Sequence, residues 1–66
     1  MEIKELDVVA LTDDLPEEGL EAGAVGTVVH LFTTPGTAYE VEFVGDDGRT
    51  IATATLQASQ ITVLPE

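Results

Sequence analysis

Hydrophobic and polar positions alternate most cleanly along Ala38-Tyr39-Glu40-Val41-Glu42-Phe43-Val44. A period of two puts Tyr39, Val41 and Phe43 on one face and Glu40 and Glu42 on the other, which predicts a half-buried strand with its acids in water. The strand runs into Gly45-Asp46-Asp47-Gly48. Asp-Gly supplies the positive φ angles of a tight hairpin turn, so Gly48 has a structural role. Arg49 to Leu56, rich in Thr and Ala, is the returning strand. Upstream, the β-branched run from Val25 to Phe32 favours another strand, and Thr33-Thr34-Pro35-Gly36-Thr37 is a turn centred on Pro-Gly. Leu6 to Thr12 is the first strand, with Val9 and Leu11 on one face and Val8 and Ala10 on the other. Residues 1–5 read as a frayed lead-in. Gln57 to Gln60 fits one 3₁₀ turn, and Ile61 to Leu64 is a short last strand closed by Pro65.

The pattern breaks between the first two strands. In Asp13-Asp14-Leu15-Pro16-Glu17-Glu18-Gly19-Leu20-Glu21-Ala22-Gly23, Asp14 can cap a helical turn and Pro16 suits its first position. Gly19 and Gly23 cut that turn short, which leaves a long arm whose Leu15 and Leu20 fold back on the core. Gly26 marks a place where another backbone or side chain comes close. Five short strands, one long arm and two tight turns predict an all-β fold. It is a small five-stranded SH3-like antiparallel barrel with a long loop between strands 1 and 2, a single domain over residues 1–66. An OB-like barrel is the alternative and usually needs more residues. The expected core is Val9, Leu11, Val28, Tyr39, Val41, Phe43, Ile61 and Val63.

Length and charge narrow the picture. A chain of 66 residues buries only about 60% of its unfolded surface. There is no Cys and one His, which removes disulfides and the usual zinc sites as sources of stability. An efficient β core, or weak self-association as a homodimer, is the remaining support. Thirteen acids face two bases, Lys4 and Arg49, for a formal charge of -11. Such a surface repels phosphate backbones and anionic lipid heads, so neither nucleic acid nor membrane is an expected partner, and a basic protein is. The start Met1-Glu2-Ile3-Lys4-Glu5-Leu6 lacks the features of a signal peptide, and a cytoplasmic protein is expected.

The stretches LDVVALTDDLPEEGLEAGAVGTVVH, AYEVEFVGDDGRTIA and LQASQI resemble a bacterial family of small uncharacterised proteins, a domain of unknown function. Its members look like SH3-like barrels similar in shape to the β subunit of nitrile hydratase. Their genes tend to sit beside other small genes, some toxin-like. The resemblance therefore implies an antitoxin or immunity-type role, or else an accessory, subunit-like domain of a metalloenzyme. It implies no catalytic residues. GAVGTVV also resembles the Gly-x-Val core of the KOW motif, but the basic loops those modules use on RNA are acidic here.

Candidate chemistry is sparse. His30 is the one side chain of a type suited to general-base work near neutrality, but Ser59 is the only Ser and there is no Cys. A nucleophile–base–orienter set is hard to assemble, so no enzyme is expected; a His-dependent hydrolase ranks last. Asp13, Asp14, Glu17, Glu18 and Glu21 in the arm lack the spacing of an EF-hand loop, and no metal or cofactor is expected. With Glu40 and Glu42 they hold seven of the thirteen acids. Lys4 and Arg49 lie outside both segments, so these seven form the expected negative face for a basic partner. Tyr39 and Phe43 are assigned to the core rather than to a peptide groove.

Overall fold

The alternating stretch at 38–44 is a strand paired on both sides. The computed structural model describes residues 2–65. Its strands are β1 (Val8–Leu11), β2 (Val25–Phe32), β3 (Ala38–Val44), β4 (Thr50–Leu56) and β5 (Ile61–Val63), with 3₁₀ turns at Pro16–Glu18 and Ala58–Gln60. All pairings are antiparallel, in one sheet of order β4-β3-β2-β1-β5. The fold is all-β. The sheet wraps a core but does not close: β4 and β5 are its two edges, and no ladder joins them. The expected five-stranded antiparallel fold is present, and the barrel is approximate because its sheet stays open.

Register explains the core. One row across the sheet runs Val63, Val9, Gly26, Phe43, Ala52, from β5 to β4. A second sets Val28, Val41 and Ala54 side by side, and a third Leu31, Tyr39 and Leu56. Val9, Val28 and Val41 are fully buried, and Phe43 is 1% exposed. Leu11, Tyr39, Leu56, Ile61 and Leu20 complete the cluster. Val63, expected in the core, is only partly buried against it, because it ends β5 beside an open groove that it lines with Leu6 and Val8. Leu56 enters the core through its pairing with Tyr39.

Two bulges keep these rows aligned. Strict alternation from Val28 would send His30 inward. Instead the β2–β3 register shifts between Val28 and His30, leaving Val29 as the extra residue. His30 then lies opposite Glu40 on the outer face, and Leu31 turns in opposite Tyr39. A second shift leaves Ile51 unpaired, so that Ala52 faces Phe43 and Thr50 faces Val44.

Gly26 sits where the core is tightest. A Cβ there would lie 2.7 Å from Val41 Cγ1, 2.8 Å from the Glu42 carbonyl oxygen and 2.9 Å from Phe43 Cδ1. The missing side chain is the space the Phe43 ring uses.

The amino-terminal segment is ordered around the first strand, against the expectation of fraying. Ile3 packs on the core, Lys4 N–H donates to Asp7 Oδ2 at 2.8 Å, and Leu6 N–H donates to the Val28 carbonyl at 2.6 Å. β1 starts at Val8 rather than Leu6, because Leu6 has φ +72°, a left-handed conformation that ends extended pairing. Met1 lies outside the described residues.

Candidate interaction surface

The arm is held at three levels. At its base, Gly23 N–H donates to the Leu11 carbonyl at 2.8 Å and Leu11 N–H to the Ala24 carbonyl at 2.9 Å. Midway, Asp14 Oδ1 accepts from Ala22 N–H at 2.8 Å, a bond that ties the two sides of the arm together across eight residues. Near the tip, Leu15 and Leu20 exchange backbone bonds of 2.8 and 3.1 Å. Pro16 opens a single 3₁₀ turn, and Gly19 closes it at φ +70°. Gly23 takes φ +91°. Leu20 is buried in the core and Leu15 packs against it, so the arm lies over the inner side of the sheet. Thr12 ties it sideways: its N–H and hydroxyl donate to the carbonyls of Gln60 (2.9 Å) and Ser59 (3.0 Å).

Asp13, Asp14, Glu17, Glu18 and Glu21 are all exposed on this braced arm. Among the described residues no group of three or more His, Asp or Glu side chains gathers closely enough to hold a metal ion. The salt bridge found there joins Arg49 Nε to Asp47 Oδ2 at 3.4 Å, away from the arm and in solvent. Gly48, at φ +82°, shapes the turn that brings this pair together.

Glu40 and Glu42 occupy a different place. They alternate with the inward Tyr39, Val41 and Phe43, and so point from the outer face, whereas the arm covers the inner one. The structure therefore places the seven acids in two groups, not on one continuous face. Neither β3 acid stands free in water. Both are half-buried, in rows that run His30–Glu40–Thr55 and Thr27–Glu42–Thr53. Thr55 Oγ1 donates to Glu40 Oε1 at 2.6 Å.

His30 stands in the first row with its ring edge-on to Phe32, centroids 4.5 Å apart at 70°. Ser59 is in the 3₁₀ turn before β5, where its carbonyl serves Thr12. Among the described residues no hydrogen bond links His30 to a hydroxyl. His30 on β2 and Ser59 in the second 3₁₀ turn thus sit on separate elements.

Thr53 and Thr55 carry no local signal of this pairing in β4 alone. The Thr-x-Thr run of β4 echoes the Glu-x-Glu run of β3 across the hairpin, which is the available signal. The bulge at Ile51 hides it, because an unbroken register from the Val44–Thr50 pair would set Ala52 and Ala54 opposite the two acids.

Residues 5–63 match the domain of unknown function DUF4926. The chain belongs to that family. The match takes in the arm, every strand and both 3₁₀ turns. No curated protein and no solved structure was found to match. An open groove of about 530 Å³ lies between the turn before β1 and the end of β5, lined by Leu6, Asp7, Val8, Val63, Leu64 and Pro65. It holds none of the seven acids.

Proposed function

We propose that this DUF4926 protein is a non-enzymatic, acidic interaction module that docks a basic protein. The observation that carries this reading is the arm. Five exposed carboxylates stand on a loop braced by backbone bonds and anchored by a buried leucine, with the chain's two bases elsewhere. Holding charges in place before contact reduces the ordering cost of binding, and complementary charge raises association rate and selectivity. The antitoxin or immunity-type role implied by the family resemblance is one such partnership, in which an acidic protein covers a basic neighbour. The same charge disfavours nucleic acid as the partner.

The test compares wild type with a Glu17→Gln/Glu18→Gln/Glu21→Gln variant as baits in a native lysate, at low and high salt. A protein held by wild type at low salt, released at high salt and lost from the variant is the expected result. These residues are exposed and their neutralisation only relieves repulsion, so the variant should melt no lower than wild type. Equal capture by both baits, or capture of nucleic acid, overturns the proposal.

A further inference from the structure

The two edges of the sheet are built differently. β5 is three residues long and runs into Pro65, which has no N–H to offer. β4 is seven residues long, Thr50–Leu56, and carries no charge, Pro or Gly. Among the described residues β4 has only β3 as a neighbour, and no backbone hydrogen bond outside that ladder reaches residues 50–56. Every second residue of an edge strand points its N–H and C=O away from the sheet. Edges are usually blunted by charge, Pro or shortness, and β4 has none of these except the bulge at its start.

The flanking chemistry says what fits. On the outer face of β4 stand Thr53 and Thr55, and immediately behind them Glu42 and Glu40. On the inner face stand Ala52 and Ala54, half-buried against the core. A strand added beyond β4 would lie two spacings, roughly 10 Å, from β3. Its outward side chains would pass over small threonines toward two carboxylates, and its inward ones would meet alanines at the margin of the core. We propose that the β4 edge receives an extended segment of a basic protein, with Lys or Arg at alternate positions and apolar residues between. This rests on the acidic-module reading above and adds to the arm a second, separate contact for the same partner, made by an extended segment at the sheet edge. A second copy of the chain is the weaker fit, because its own β4 brings no cation and its charge of -11 opposes approach.

The probe is a capped octapeptide alternating Lys and Val, with a Glu/Val octapeptide as control. Two further versions carry N-methyl groups on either the Lys or the Val amides. Binding is read by fluorescence anisotropy, and amide exchange by NMR. The Lys/Val peptide should bind, the Glu/Val peptide should not, and residues 50–56 should gain protection. One N-methylated version should lose binding and the other keep it, since only one set of amides can face β4. Glu40→Gln/Glu42→Gln should weaken binding about 3- to 10-fold, the scale of two exposed ion pairs, whereas the arm triple variant should change it less than twofold. No peptide binding overturns the proposal. Protection on the arm instead, lost in the triple variant and kept in Glu40→Gln/Glu42→Gln, overturns the edge while leaving the acidic-module reading standing. A peptide-free dimer by sedimentation, with residues 50–56 already protected, shows that the occupant is a second copy and also overturns it.

Discussion

Replacing Gly26 with Ala puts one methyl group into the tightest point of the fold. Three atoms stand within 3.0 Å of the new Cβ, and one is the Glu42 carbonyl oxygen, a ladder atom that cannot swing aside. The other two belong to Val41 and Phe43, which are 0% and 1% exposed and have no room to retreat. Overpacking of a dense core costs about 1–3 kcal/mol. Against this, Ala in a strand recovers roughly 0.5–1 kcal/mol of the entropy that Gly loses on folding. With all three contacts under 3.0 Å the upper half of that overpacking range applies, and the net destabilisation is about 1–2.5 kcal/mol. A domain this small shifts its melting point by about 4–8 °C per kcal/mol, so a fall of roughly 4–20 °C is expected. Gly36→Ala is the matched control. Its Cβ would meet nothing within 4 Å and its φ is not positive, so the substitution should be neutral or stabilising by up to about 1 kcal/mol. Thermal and urea unfolding of both variants decide the matter. If Gly26→Ala melts with wild type, the strands separate more easily than the register implies and the argument from close approach fails.

Leu20→Ala should cost about 2–4 kcal/mol, because the side chain is 7% exposed and pins the arm to the core; amide exchange at Leu15 and Leu20 should accelerate as well, and an unchanged exchange rate would show that the arm is held without it. Leu6→Gly should stabilise by about 0.5–1 kcal/mol, since Leu6 holds φ +72° while 76% exposed, and relief of that strain outweighs the entropy of Gly. A lower urea midpoint would mean that Leu6 makes contacts worth more than its strain. Raising NaCl from 0.01 to 0.5 M should raise the melting point, because screening relieves the self-repulsion of a chain at -11. A flat response would show that the carboxylates are spaced widely enough not to repel.

The strands were legible because their information is local. Ala38–Val44 alternates without interruption, and Pro-Gly and Asp-Gly punctuate its two ends, so β2 and β3 fall where the pattern put them. Glycine at Gly19, Gly23 and Gly48 was readable for the same reason, since each meets a positive φ within a turn. What the chain could not show by itself depends on residues far apart in sequence. His30 is one step out of phase with Val28, and only the bulge at Val29 sends it outward. Leu6 continues the apolar pattern of β1, yet its N–H is captured by the Val28 carbonyl in a left-handed conformation. Periodicity sorts side chains into inside and outside, but not which loop covers the inside. The seven acids therefore read as one surface, and the packing of Leu15 and Leu20 on the inner face divided them into two. The edges are non-local in the same sense: β4 is bare because β5 pairs with β1 instead of reaching it. Alternation and turn chemistry fix the strands; which strands meet, and what that leaves open, is decided only when the sheet assembles.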